Sequence, residues 1–196
     1  MPWGHPICFS IMSSVKPYSA THRMARKLKR TDLSLMRAMR KTEGELMTLI
    51  MRLFTKMGDP LGWTLLSIGI MIYDRTLTGF GLKLGLVSLV GALLAKGIKR
   101  LFRRQRPCLH QSFPKALTRI PDPWSFPSGH TTSAFAVAAF CLAVCNPAVS
   151  LFMGLAVCIA LSRVYLGVHF PSDVFAGMCL GLIAGISSVP FMNLIG

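Results

Sequence analysis

Eight residues stand out as a set able to do chemistry: Lys99, Arg106, Ser128, Gly129, His130, Arg163, His169 and Asp173. Lys99, Arg106 and Arg163 are three fixed cations suited to the oxygens of a phosphate. Ser128 and Gly129, at the start of an apolar run, offer a hydroxyl and free backbone N–H groups, the makings of an oxyanion or phosphate cradle. His169 and Asp173 are four apart. If the last helix begins before them they share a face, where the carboxylate can fix the imidazole tautomer and raise its basicity, which makes His169 a candidate nucleophile. His130, carried by another helix, can protonate a departing oxygen.

Each element also has a plainer reading. Arg100, Arg103 and Arg104 follow an apolar segment and read as interfacial anchors. A lone histidine at a helix start is more often a satisfied polar residue, so His130 takes its weight from the set. His110 has no comparable context and reads as a loop residue. Asp173 is different: it is the only acid after Asp122 and borders the last apolar segment. An unpaired carboxylate is costly there, so a paired or functional role is the expectation.

What must position these residues is apolar. Of 196 residues, 52% are hydrophobic and only 15% charged, too apolar for an ordinary soluble domain of this size. Five apolar segments, 61–73, 77–95, 128–145, 148–166 and 173–195, are separated by Asp74-Arg75, a basic stretch, Asn146-Pro147 and His169-Phe170-Pro171. The fold class expected is all-α, an integral-membrane helical bundle of about five spans with N-terminal amphipathic interfacial helices. The first segment is short, rising roughly 20 Å against a hydrocarbon core of about 30 Å. Trp63 and Tyr73 near its ends suit an interfacial belt and favour a short or tilted span. Read in alternation, segment two ends beside Lys99 and Arg106, three begins at Ser128-Gly129-His130, four ends at Ser162-Arg163 and five begins at His169 and Asp173. An end, a start, an end and a start fall on one face of an up-and-down bundle.

Residues 1–30 read as a basic arm and 31–59 as amphipathic interfacial helices, with 60–196 as the transmembrane domain. Thr42 and Glu45 form a capping-box pattern before Leu46, Ile50, Leu53 and Met57, which share a helical face suited to a membrane surface or to packing on the bundle. Prolines 107, 114, 121, 123 and 127 make 107–127 a loop capping one end. The first residues carry no continuous apolar core or small-residue cleavage site, so no signal peptide is read.

Lys plus Arg number 22 against 7 Asp plus Glu. A nucleic-acid module would not carry such long apolar runs, so the partners expected are a membrane lipid phosphate and the bilayer, with no nucleic acid. Cys141, Cys145, Cys158 and Cys179 lie in apolar runs without a CxxC pair and read as small buried hydrophobes. No carboxylate cluster is apparent that could hold Mg²⁺. Nothing in the sequence bears on oligomeric state.

The spacing Lys99, six residues, Arg106-Pro107; then Pro127-Ser128-Gly129-His130; then Ser162-Arg163, five residues, His169, three residues, Asp173, resembles all three motifs of the type 2 phosphatidic acid phosphatase superfamily. That superfamily contains membrane lipid phosphatases, glucose-6-phosphatase and vanadium haloperoxidases. The match covers residues 99–173. The resemblance implies that Lys99, Arg106 and Arg163 hold phosphate oxygens, Ser128 and Gly129 complete the cradle, and His169 attacks phosphorus. Asp173 supports His169, His130 protonates the leaving group, and water hydrolyses the phosphohistidine without metal or cofactor.

The expected function is therefore hydrolysis of a lipid phosphomonoester or diphosphate. The compact size resembles small bacterial isoprenyl or undecaprenyl diphosphate phosphatases, with phosphatidate, phosphatidylglycerol phosphate and lipid A phosphate as further substrates. A catalytically inactive lipid-phosphate-binding relative and a vanadium-dependent haloperoxidase are the alternatives. The expected location is a bacterial inner membrane. If all five segments cross, Lys and Arg crowd the side of the site, with only Arg75 and Lys83 elsewhere, and the positive-inside rule puts that side in the cytoplasm. Many bacterial relatives work on the periplasmic face, the other orientation.

Overall fold

The computed structural model describes residues 20–195 apart from 110–112, 114, 121 and 145. Cys8, His110 and Cys145 therefore lie outside the described residues, as does the arm before residue 20. Among the described residues seven α-helices follow one another: α1 (Ala20–Arg40), α2 (Glu45–Met57), α3 (Pro60–Tyr73), α4 (Thr78–Phe102), α5 (Gly129–Ala143), α6 (Val149–Tyr165) and α7 (Pro171–Met192).

The axis of the bundle is α5, in which every residue from Thr131 to Cys141 is buried. Its alanines and three hydroxyl residues leave room for neighbours to come close, and α4, α6 and α7 clad it. Gly177 and Gly181 of α7 lie directly against its backbone. A Cβ at Gly181 would stand 2.5 Å from the Thr132 carbonyl oxygen, and one at Gly177 2.8 Å from that of Ser128. Such spaced small residues let helices pack where hydrophobicity alone cannot select a partner. Across the opposite contact, the Ser133 hydroxyl donates to the Ser88 carbonyl of α4 at 3.0 Å.

The outside is apolar. Leu82, Leu89 and Leu93 on α4 and Phe175, Ile183 and Ile186 on α7 are exposed, a surface that suits hydrocarbon rather than water. Residues 75–102 and 171–192 are long and apolar enough to cross a membrane, while α3, α5 and α6 are apolar but shorter. The second apolar segment extends beyond its expected end: α4 continues to Phe102 and stops where Arg103 turns left-handed at φ 46°. Lys96, Lys99 and Arg100 thus sit in its last turns, where cations suit the helix dipole and their stems can lie along apolar surface.

The basic run Arg23–Arg30, expected as the end of an arm, forms the first half of α1. The expected capping box does not form. Gly44 is the N-cap of α2, and the Thr42 hydroxyl instead donates to the Met39 carbonyl, closing the preceding helix. Leu46, Leu53 and Met57 are exposed, so the apolar face of α2 points away from the bundle. Its polar side does the docking: the Thr48 hydroxyl meets that of Tyr165 at 3.2 Å, and Thr55 is buried. Of the described cysteines expected to be buried, only Cys141 is; Cys158 and Cys179 are half-buried on the flanks of α6 and α7, and all are free thiols.

Candidate active site

At one end of the bundle a cavity of about 460 Å³ is lined by Lys99, Arg106, Gly129, His130, Arg163 and His169 among others. Six of the eight residues singled out by spacing thus line one space. Ser128 and Asp173 stand behind its wall, both fully buried.

Arg106 is fully buried and fixed on several sides. Its Nε donates to the Asp122 carbonyl at 2.6 Å, and Nη1 donates to the Val168 carbonyl at 2.9 Å. The same Nη1 lies 3.2 Å from Nε2 of His169. A guanidinium has only donors, so Nε2 must accept, which leaves the His169 proton on Nδ1 and directs the lone pair of Nε2 toward the cations. Burial, then the charges of Arg163, Arg106 and Lys99, hold the His169 pKa well below 6.5. The ring is neutral and its lone pair available at ordinary pH.

His169 and Asp173 stand within ion-pair reach of each other, but not on a shared helix face. Helix α7 begins at Pro171, whose fixed φ and missing N–H suit a helix start, so His169 precedes the helix and shares no face of it. His169 Nδ1 and Asp173 Oδ2 are 3.8 Å apart, too far for a hydrogen bond. Asp173 caps α7 by accepting from the Phe170 N–H at 2.9 Å, and its other oxygen accepts from Arg104 at 2.7 Å. Arg104 in turn binds Asp32 of α1 at 2.8 Å and stacks 4.1 Å over the Phe170 ring. Asp32 also accepts from the Ser172 backbone N–H at 2.9 Å and hydroxyl at 2.6 Å. Arg104 is therefore no interfacial anchor, although Arg100 and Arg103 are exposed as expected of anchors.

Ser128 is also corrected. Its backbone N–H is not free but donates to the Asp173 carbonyl at 3.1 Å, and its hydroxyl accepts from Thr131 at 2.9 Å. This joins α5 to α7. The N–H groups of Gly129, His130 and Thr131, in the first turn of α5, have no intrahelical carbonyl.

Three further residues meet the site. Asp122 bridges the cations, 2.9 Å from Lys99 Nζ and 3.1 Å from Arg106 Nη2. Burial alone would raise its pKa, but the hydrogen bond and charge of Lys99 and the charge of Arg106 outweigh burial and lower it. Asp59, between α2 and α3, lies 2.5 Å from His130 Nε2, so that nitrogen carries a proton toward a carboxylate. Burial opposes the charge on Asp59, but the hydrogen bond and charge of His130 prevail and lower its pKa. Thr55 of α2 holds Arg163 by a hydrogen bond from the guanidinium to its hydroxyl. Asp32, Asp59 and Asp122 belong to only 7 acids in the chain, and that scarcity was the one signal that could have marked them.

The site is thus a neutral histidine facing a cationic pocket, with a second, carboxylate-paired histidine on its wall, all at one end of a helical bundle with an apolar exterior. Such an arrangement defines a membrane protein equipped for phosphoryl chemistry. The family model described as PAP2 superfamily matches residues 80–195, and the chain belongs to that superfamily. Decaprenylphosphoryl-5-phosphoribose phosphatase of Mycobacterium tuberculosis is 38% identical over 128 residues, covering 64% of this chain and 68% of the relative. Among solved structures, LpxE of Aquifex aeolicus matches with a TM-score of 0.66 and 29% identity, over 81% of this chain and 94% of that one. A transmembrane PAP2-type phosphatidylglycerolphosphate phosphatase of Bacillus subtilis matches at 0.66 and 27% identity, over 87% and 88%.

Proposed function

We propose that this protein hydrolyses a lipid phosphate through a phosphohistidine on His169, without metal. The observation that carries the reading is the Nε2 lone pair of His169, held beside Arg106 in a pocket that Lys99 and Arg163 also line. Nε2 attacks phosphorus, the phosphorus–oxygen bond to the lipid breaks, and the departing oxygen takes a proton from His130. Asp59 accepts from His130 Nε2 and fixes the ring for this donation. Water then attacks phosphorus while His130 takes its proton, and the phosphorus–nitrogen bond breaks, releasing phosphate and returning the lone pair to Nε2. Lys99, Arg106, Arg163 and the Gly129 N–H neutralise the charge that builds on the phosphoryl oxygens. Before substrate enters, the Asp122 carboxylate lies where phosphate oxygens would, and substrate must displace it. Asp173, with Ser128, fixes the start of α7 and hence the segment carrying His169.

The names of the relatives support a prenylphosphoryl sugar phosphate or phosphatidylglycerol phosphate as substrate. In this reading α3 to α7 are five spans, α3 short or tilted, in a bacterial inner membrane. Because Asp32 and Thr55 tie α1 and α2 to the site, their cations share its face, which favours a cytoplasm-facing site. The test is phosphate release from a panel of lipid phosphates by purified protein in detergent with EDTA, with acid-labile phosphoenzyme trapped from labelled substrate. His169→Ala should retain its fold and lose both signals. Turnover in that variant, or activity restored only by Mg²⁺, would sink the mechanism.

A further inference from the structure

The pocket already contains an anion of its own. Asp122 Oδ2 lies 2.9 Å from Lys99 Nζ and 3.1 Å from Arg106 Nη2, the two cations whose hydrogens would meet phosphoryl oxygens. The side chain of Lys99 is 12% exposed and that of Arg106 0%, whereas Asp122 is 36% exposed, so the carboxylate covers two buried cations from their open side. Arg163, also buried, lines the same pocket, and the only other acid in the lining, Asp59, is paired with His130. Without Asp122 an empty pocket would confine three cations with no free counter-charge, an arrangement that burial makes costly.

This carboxylate can leave while its backbone stays. The Asp122 carbonyl accepts from Arg106 Nε at 2.6 Å, the Ser125 N–H donates to the Arg104 carbonyl at 2.7 Å, and Gln105 pairs with Trp124 in a single antiparallel bridge. These contacts hold the chain around Asp122 against residues 104–106 whichever way the side chain turns. Apart from the cations, the carboxylate is retained by the Trp124 N–H, which donates to Oδ1 at 2.9 Å. A rotation between staggered side-chain states exchanges both ion pairs for water. A tethered group of this kind weakens every ligand of the same cations by one factor, the inverse of the fraction of molecules in which it has swung out. Substrate and product phosphate are weakened alike, and the product therefore leaves sooner.

We infer that Asp122 is a tethered competitor for the phosphate subsite, which neutralises Lys99 and Arg106 in the empty pocket and returns to them to drive inorganic phosphate out after hydrolysis. This rests on the proposed phosphatase reading and adds how its cycle closes. The opposing account makes Asp122 a fixed brace that orients the two cations for substrate, and the experiment separates the two.

The test replaces the carboxylate with its neutral isostere, Asp122→Asn, which can still accept from the Trp124 N–H. In neutral detergent, kcat/KM for dioctanoyl phosphatidate and the reciprocal Ki values for inorganic phosphate and vanadate should all rise by one common factor of about tenfold, as expected for loss of a partly exposed charged contact. The gain in kcat/KM should lie in KM, with kcat no higher than in the wild type. Without phosphate the variant should melt below the wild type, its cations being uncovered, and saturating phosphate should raise its thermal midpoint further than that of the wild type. Asp122→Ser, whose hydroxyl can also accept from the Trp124 N–H, should show the same pattern and guards against a folding defect peculiar to Asn. A fall in kcat/KM, unchanged Ki values, factors for the two anions that differ by more than about threefold, or equal midpoint shifts with phosphate would overturn the inference and leave Asp122 a brace. If the wild type frees phosphate from no lipid phosphate while inorganic phosphate still shifts its midpoint, the phosphatase reading fails instead and the competitor stands.

Discussion

Replacing Arg104 with Gln tests whether the site depends on a residue that never touches the pocket. Arg104 stands between two carboxylates: Asp173, whose side chain is 0% exposed, and Asp32, at 3%. The substitution leaves two buried anions facing each other with no cation between them. Removing one partner of a buried ion pair costs about 3–5 kcal/mol. Arg104 itself is 27% exposed, and water entering beside it screens part of that loss, so about 3 kcal/mol is the appropriate figure. If the strain falls on the His169–Asp173 segment, 3 kcal/mol corresponds to roughly a hundredfold in kcat. KM should change little because Arg104 binds no substrate oxygen. Adding Asp32→Asn removes one of the stranded anions. The double variant should recover at least about 1 kcal/mol relative to additivity, read as both kcat and thermal midpoint in detergent. A single variant with kcat within threefold of wild type, or strict additivity in the cycle, would refute the account of Asp173 as a residue held in place from α1.

Gly181→Ala should lower the thermal midpoint, because its Cβ would press within 2.5 Å of a carbonyl oxygen and 2.9 Å of the Phe135 Cβ; the cost is about 1–3 kcal/mol, and an unchanged midpoint would show that α7 can slide freely on α5. His169 is buried neutral with a pKa held well below 6.5, so the unfolded chain binds the extra proton, and stability should fall as pH drops below about 6.5. The slope reaches at most about 1.4 kcal/mol per pH unit for this group, and denaturation series at pH 7, 6 and 5 should show a shallower decline in His169→Asn. For sidedness, single cysteines replacing Ala20 and Lys115 in a background lacking Cys8 and Cys108 should resist a membrane-impermeant thiol reagent in intact spheroplasts and react after lysis. Reaction of both before lysis would place the site on the outer face.

Spacing alone assembled the pocket. Lys99 with Arg106, Gly129 with His130, and Arg163 with His169 lie at helix ends or starts that alternation brings to one face, and all six line the cavity. What spacing could not show is what holds them. Asp32 and Thr55 on α1 and α2, and Asp59 between α2 and α3, act from far away in sequence, through contacts that leave no periodic trace. Arg104 is one of two adjacent arginines whose composition and position are alike; only the left-handed turn at Arg103 sends the second inward. The pairing expected of His169 and Asp173 assumed a continuous helix, and Pro171 restarts the chain between them. For α2 the apolar face was legible, but that its threonines rather than its leucines dock on the bundle was not. A face that lies on lipid and a face that packs on protein carry the same pattern.

The burial of α5 also bears on how the protein is made. This helix spans only Gly129–Ala143 and opens with Gly, His, Thr, Thr and Ser, a sequence with a poor claim to partition into a bilayer alone. Its natural surroundings are other helices, so in the proposed five-span bundle it would enter together with a neighbour or wait for one. Made after α5, helix α7 supplies Gly177 and Gly181 against it and receives the Ser128 N–H at Asp173. Until α7 has docked, the start of α5 and the segment bearing His169 have no fixed relation. A chain in which α7 has not docked therefore lacks the assembled site.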